Sequence, residues 1–264
     1  MTQHILVIDE GTTSTRAVAF TLDGRIAAEA QQPLTQGFPK PGWVEHDAGE
    51  IWARSLACAE EVAEKVNPAT VACVGITNQR ETVVFWDRKT RQPLSPAIVW
   101  QDRRTAEMCA KLKAAGYEPD VQAKTGLLLD PYFSATKIGW ALEHWPAVKR
   151  GADAGTLCAG TVDSYLRFRL SKGEVFETDA SNAARTLLMD LGNQEWNPEL
   201  CDLIGVPDSL LPAIGECAGA LGTAIIAGRE IPITGAAGDQ QAAAVGQGCF
   251  VKGGVKATYG TGAF

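Results

Sequence analysis

Apolar positions recur along this chain with two periods, one suited to strands and one to helices. Ile5-Leu6-Val7-Ile8 is a short β-branched run bounded by polar residues, which predicts a buried strand with Asp9 at its carboxyl end. Residues 15–22 continue as a second strand, Asp23-Gly24 supplies a hairpin turn, and residues 25–31 return. Asp47 and Glu50 form a capping box ahead of a helix through about Lys65, whose Ile51, Trp52, Leu56, Ala59, Val62 and Val66 make one apolar stripe for packing on a sheet. Residues 72–77 read as the next strand. Residues 82–86 and 97–100 read as a second hairpin-like pair, and a helix over 105–115 is ended by Gly116. The segments 116–155 and 163–230 read as mostly helical with loops, and Ile231 opens a late apolar strand to Gly235. An opening β-meander followed by alternating strands and helices implies an α/β fold, a mixed sheet flanked by helices.

Composition narrows the class. A chain of 264 residues buries roughly 70 to 75% of its unfolded surface, enough for one large or two modest domains. Hydrophobic residues at 45% and charged residues at 21% argue against both disorder and a membrane protein. The formal charge of -7 argues against non-specific nucleic-acid binding. No apolar run reaches spanning length, and Asp9 stands where a signal peptide would need an apolar core, so a cytoplasmic location is expected. Cys58, Cys73, Cys109, Cys158, Cys201, Cys217 and Cys249 form no C-x-x-C pair and do not cluster with the histidines, which suggests reduced structural thiols and no zinc site.

Polar residues at strand ends carry the candidate chemistry. After Asp9, Gly11 permits a tight turn, and Thr12, Thr13 and Ser14 place hydroxyls and backbone N–H groups around one point, the equipment of a phosphate cradle. A carboxylate beside phosphates calls for a cation, so Asp9 suggests Mg2+, directly or through water. An ordinary β-turn explains the same residues. In Gly75-Ile76-Thr77-Asn78-Gln79-Arg80-Glu81-Thr82 an adjacent guanidinium and carboxylate offer donor and acceptor functions to a polyhydroxy ligand, or form a local ion pair on an exposed loop. Trp100-Gln101-Asp102-Arg103-Arg104 could wall a pocket with Trp100, its arginines pairing at the surface with Asp102 or Glu107. Asp239, in Gly238-Asp239-Gln240-Gln241, reads as a helix N-cap with small residues leaving space before its carboxylate. Residues 255–262 form another strand leading to a Gly-Thr-Gly turn, an echo of the first motif that could close a two-sided phosphate clamp.

Together with Pro39-Lys40-Pro41-Gly42-Trp43-Val44-Glu45-His46-Asp47 and Asp130-Pro131-Tyr132-Phe133-Ser134, these motifs resemble, in order along the whole chain, the FGGY carbohydrate kinases. Members acting on xylulose, ribulose or gluconate would be expected to differ at residues 78–81, so the resemblance favours glycerol. It implies the actin-like, ribonuclease-H-like ATPase fold, and ATP-dependent conversion of glycerol to sn-glycerol 3-phosphate with Mg2+. Thr12, Thr13, Ser14, Arg16 and, from the second domain, Thr261 would meet the nucleotide phosphates, with Asp9 in the magnesium shell. Arg80, Glu81, Tyr132, Asp239 and Gln240 would hold the hydroxyls of glycerol, and Trp100 and Phe264 would pack on its carbon face. Asp239 would also be the catalytic base. A homodimer or homotetramer is implied for the full-length protein.

Three departures qualify the resemblance. Glu10 stands where the family commonly has Gln, which could alter metal handling or point away. The sugar-bisphosphate loop Gly-Gly-Lys-Gly-Gly of some members is absent at residues 225–230, which argues against that regulation. The chain stops at Phe264, where the second domain would begin. Residues 1–250 are therefore expected to be the amino-terminal domain and 251–264 the first strand and turn of the next, disordered or docked as an edge strand. Such a fragment would be poorly active alone, because domain closure excludes water and joins the phosphate turns. A kinase of another polyol, a non-catalytic polyol-binding module and an actin-like polymerising domain are the rival expectations.

Overall fold

The opening meander forms as the apolar alternation predicts. In the computed structural model, which describes residues 3–259 and 263–264, β1 (His4–Glu10), β2 (Ser14–Thr21) and β3 (Ile26–Pro33) pair antiparallel, Asp9 lying opposite Arg16. Two short strands, β4 (Gln36–Gly37) and β5 (Glu45–His46), precede α1 (Ala48–Val66). Asp47 caps α1, accepting from the N–H groups of Gly49 at 2.7 Å and Glu50 at 3.3 Å. The capping box is only half made: the Glu50 carboxylate turns outward to accept from Thr35 and to pair with Arg54. β6 (Val71–Asn78) then enters the sheet parallel to β1.

The rest of the chain folds as β7 (Val83–Asp87), β8 (Ala97–Ile98), α2 (Ala106–Ala114), α3 (Glu118–Thr125), α4 (Ser134–His144), α5 (Pro146–Asp153), β9 (Leu157–Thr161), α6 (Val162–Leu170), β10 (Glu177–Asp179) and α7 (Ala180–Ala183). It continues with β11 (Met189–Asp190), β12 (Glu195–Trp196), α8 (Pro198–Ile204), β13 (Ala213–Gly215), β14 (Thr223–Ile226), β15 (Arg229–Gly238) and α9 (Asp239–Gly246). The main sheet has the order β14-β15-β6-β1-β2-β3, with β6 parallel to both β1 and β15. A second sheet, β4-β5-β8-β7-β9, stands beside it. β7 is buried on both faces and belongs to two cores: Val84 and Trp86 pack with the main sheet, α1 and α6, while Val83 and Phe85 pack with α4, α5 and α8. Trp86 is wedged among Tyr165, Phe168 and Phe176 at centroid distances of 5.3 to 5.6 Å.

Three expectations are corrected. Segment 163–230 is not mostly helical: beyond α6 it holds five short strands, β10 to β14, too short to show a period, of which β10 and β13 pair across 36 residues while β11 with β12 and β14 with β15 are local hairpins. In the second sheet the expected pairing of residues 82–86 with 97–100 is present as β7 and β8, whereas the fully buried β9 is not expected from Leu-Cys-Ala-Gly-Thr, which carries no run of β-branched residues. Trp100 lies beyond the end of β8 rather than on it. Among the described residues after α9, the recorded pairing is a bridge between Tyr259 and Ala263, and no edge strand joins either large sheet. Gly260, Thr261 and Gly262 lie outside the described residues. All seven cysteines are free.

Glu10 points away from the turn, on the face of β1 shared with Leu6 and Ile8, into the interface with α1. It is fully buried, accepts a hydrogen bond of 2.6 Å from the Ser55 hydroxyl, and burial pushes its carboxyl pKa up to about 8. At neutral pH it is mainly the protonated acid, a hydrogen-bonding equivalent of glutamine. Because the folded pKa lies above the unfolded value, the Glu10 contribution to stability is complete below about pH 4.5 and is lost as pH rises toward 8. Relative to Glu10→Gln, the wild-type protein should lose stability by up to about 1.4 kcal/mol per pH unit across that interval. Denaturant unfolding of both proteins between pH 5 and 9 checks this; parallel stability profiles would place an ionised Glu10 in the core at no cost.

Candidate functional site

The register of the three parallel strands brings Glu10, Asn78 and Gly238 side by side at one edge of the main sheet. Carboxyl ends of parallel strands are where ligands bind in open α/β sheets, because the following loops diverge there and leave a crevice. The loops are cross-braced. Gln79 donates its backbone N–H to the Glu10 carbonyl at 2.7 Å and its side-chain amide to the Gly11 carbonyl at 2.8 Å. Thr82 donates to the Gln79 side chain, and the Trp100 indole donates to the Thr12 hydroxyl at 2.9 Å. Gly11 is required by space, since a Cβ there would lie 2.9 Å from the Ser14 carbonyl oxygen, the acceptor that closes the turn.

Thr12, Gln79, Arg80, Glu81, Trp100, Tyr132, Asp239, Gln240, Thr258 and Phe264 line a pocket of about 170 Å³ at this edge. One wall is aromatic, with Trp100 edge-on to Tyr132 at 5.6 Å and to Phe264 at 6.3 Å. Other lining residues are ionic. Arg80 is buried and donates through Nε to Asp239 Oδ1 at 3.1 Å. Gly238 makes this approach possible: a Cβ there would lie 2.5 Å from Arg80 Cδ. The Gly238 N–H is in turn anchored to the Ser181 hydroxyl at 2.9 Å. Asp239 is not the N-cap. Gly238 occupies that position, and Asp239 opens α9, its carboxylate accepting from the Gln240 N–H at 2.7 Å.

Glu81 is buried with a left-handed φ of 62°, a conformation strained for a residue with a long side chain. Burial pushes its carboxyl pKa up, against the opposing pull of Arg80 and Arg185. Arg185 Nε donates to Glu81 Oε1 at 2.6 Å. Beneath the pocket, Lys137 is fully buried with its ammonium pushed down to about 7, donating to the carbonyls of Tyr132 and Phe133.

All seven residues expected to hold a polyol therefore meet in one pocket. The residues expected at phosphates are more dispersed. Thr12 reaches the pocket, whereas Thr13 and Ser14 lie along the turn, their groups accepting from the Leu34 N–H and Gln31 amide. Arg16 pairs with Asp9 at 2.7 Å through Oδ2. Thr261 is outside the described residues. The expectation of surface arginines after Trp100 fails for Arg104, which is buried between Asp102 and Glu45, both at 2.8 Å, with Trp43 and Trp140 at 4.0 and 4.7 Å. Arg103 pairs with Asp130, whose carboxylate also accepts from the Tyr132 N–H and so fixes the approach of that aromatic ring. Sequence reasoning missed Gln79, Thr258 and Arg185; the first two lie inside motifs it singled out, and the third carried no signal. Among the described residues no group of three or more His, Cys, Asp or Glu is arranged to hold a metal by itself, and no helix is long and apolar enough to cross a membrane.

Comparison with known proteins shows the family. Residues 4–246 match the N-terminal domain of the FGGY family of carbohydrate kinases. The chain is 53% identical to a glycerol kinase of Rhodospirillum rubrum, over 98% of this chain and 53% of that protein. It is 51% identical to a glycerol kinase of Nitrobacter hamburgensis, over 100% of this chain and 53% of that protein. The solved structure of Plasmodium falciparum glycerol kinase with ADP superposes with a TM-score of 0.93 at 39% identity, covering 99% of this chain and 53% of the other. The chain thus spans about half the length of the curated relatives it matches. With its mixed sheet of actin-like, ribonuclease-H-like α/β type and its strand-end pocket, the chain belongs to the FGGY family of carbohydrate kinases.

Proposed function

We propose that this chain is the polyol-binding half of a glycerol kinase, which transfers the terminal phosphoryl group of ATP to glycerol and releases sn-glycerol 3-phosphate. The observation that carries the reading is the convergence of Arg80, Glu81, Trp100, Tyr132, Asp239, Gln240 and Phe264 on one small pocket, which combines aromatic rings with paired charges. A short polyol presents the complementary surface, carbon on one side and hydroxyls on the other. Residues 251–264 would lead into the second half of the cleft, and the full-length enzyme would be a cytoplasmic homodimer or homotetramer.

The chemistry follows from the residues. A hydroxyl is a weak nucleophile, and a carboxylate that accepts its proton as the bond to phosphorus forms contributes roughly 10²- to 10⁴-fold. Asp239 suits this role: its carboxylate is half-exposed to the pocket and held by Arg80 and the Gln240 N–H. Arg80 and Glu81 would fix the hydroxyls, and Trp100 would exclude water from the carbon face while orienting Thr12. Thr12, Thr13, Ser14, Arg16 and Thr261 would meet the nucleotide phosphates. The donor set fits Mg2+, an ion commonly held by one or two carboxylates together with phosphates and water. Asp9 provides such a carboxylate, engaged by Arg16 through one oxygen only. When bound, the ion would neutralise charge on the transferring phosphates.

Asp239→Asn should retain glycerol binding by calorimetry while the full-length enzyme loses roughly 10²- to 10⁴-fold in turnover. Turnover like that of the wild-type enzyme would remove Asp239 from the chemical step. Arg80→Ala and Gly238→Ala should both raise the glycerol KM by about tenfold or more, the second by pushing the Arg80 side chain off its seat. If Gly238→Ala leaves the glycerol KM unchanged, the close approach of Arg80 does not set affinity.

A further inference from the structure

We propose that Arg185 is a positioning residue that orients the Glu81 carboxylate toward the polyol pocket, and that α7 serves as the brace holding both pocket carboxylates in register. The proposal rests on the polyol reading above. Among the described residues, Arg185 is the only side chain hydrogen-bonded to the Glu81 carboxylate, through Nε to Oε1 at 2.6 Å. Oε2 is left to accept from a ligand hydroxyl. The guanidinium lies 4.9 Å from the Phe133 ring and 5.5 Å from the Tyr132 ring, so its plane is fixed by aromatic packing as well as by the ion pair.

The backbone that carries Arg185 is itself pinned to the site. Asn182 and Asn78 exchange side-chain amide hydrogen bonds of 3.0 and 3.1 Å, tying α7 to the end of β6 from which Arg80 and Glu81 emerge. Asp179 accepts from the Ser181 and Asn182 N–H groups at the head of α7 and from the Asn182 amide at 2.6 Å. Ser181 accepts from the Gly238 N–H, one residue before Asp239. The Thr186 carbonyl accepts from the Ala135 N–H at 2.8 Å, fixing the far side against α4. The helix α7 and the residues just after it therefore reach the Glu81 carboxylate through Arg185 and the strand end before Asp239 through Ser181. This segment can hold the two carboxylates at a constant separation while a ligand enters between them.

The charged and titratable groups facing Glu81 are Arg80, Arg185, Lys137 and the Tyr132 phenol. Arg80 is committed to Asp239 and Lys137 to backbone carbonyls, so Arg185 supplies the directional contact. Without it, a carboxylate in this buried position takes up a proton more readily, and the neutral acid is a weaker acceptor with one oxygen turned donor.

The test is glycerol binding by calorimetry at pH 6.5, 7.5 and 8.5 for the wild-type protein, Arg185→Met, Arg185→Lys and Arg185→Met/Glu81→Gln, with folding checked by thermal unfolding. Arg185→Met should bind at least tenfold more weakly at pH 6.5 and recover part of that loss by pH 8.5. Arg185→Lys should restore part of the affinity at pH 6.5, and the double variant should be weak and show none of the recovery at pH 8.5 seen in Arg185→Met. In the full-length enzyme Arg185→Met should raise the glycerol KM and leave the ATP KM unchanged. Arg185→Met with wild-type affinity and pH profile, or with a loss equal at all three pH values, would overturn the positioning role while leaving the polyol reading intact. Absence of glycerol binding by the folded wild-type protein would overturn the polyol reading, and with it this proposal.

Discussion

The contact of Arg80 with Asp239 across Gly238 is the constraint on which the site depends. It joins the loop after β6 to the first residue of α9, two segments distant in the chain that meet only because β6 and β15 run parallel and end together. A buried guanidinium is costly unless paired, and pairing it with the carboxylate that faces the pocket makes one interaction brace both the fold and the pocket lining. Everything around it keeps that geometry: the absent side chain of Gly238, the Ser181 anchor on its N–H, and the amide exchange between Asn78 and Asn182.

The aromatic lining is tied to the ionic lining: Trp100 meets Tyr132 and Phe264 edge-on, and the Arg185 guanidinium that pairs with Glu81 lies 5.5 Å from the Tyr132 ring. Their support comes from farther away. Arg104, enclosed by tryptophans and by Asp102 and Glu45, fixes the segment after Trp100 in place, and Arg103 with Asp130 fixes the segment before Tyr132. Lys137, buried under the same loop, donates to the Tyr132 and Phe133 carbonyls.

Much of this was legible in the sequence, for a definite reason. Asp9, Arg80, Glu81 and Asp239 each follow an apolar run that reads as a strand, and parallel strands deliver their carboxyl ends to one edge. What escaped was set by contacts between residues far apart. Arg104 reads as a surface cation because the tryptophans that enclose it, Trp43 and Trp140, are distant in the chain. Arg185 follows a helix of four residues, too short to show a period, in a segment whose short strands exist only through pairing. Glu10 reads as a second carboxylate beside the phosphate turn, yet strand alternation sends it to the opposite face, where burial keeps it protonated. In each case the residue type suggests an exposed charge and the packing assigns a buried one.

The proposed polyol site rests on aromatic and paired charged residues that line one small pocket. Calorimetric titration of the folded protein with glycerol, xylulose and ribitol tests that assignment most directly. Glycerol should bind with one site per chain and more tightly than either longer compound. Equal affinities for all three, or binding of a longer polyol in preference to glycerol, would contradict it.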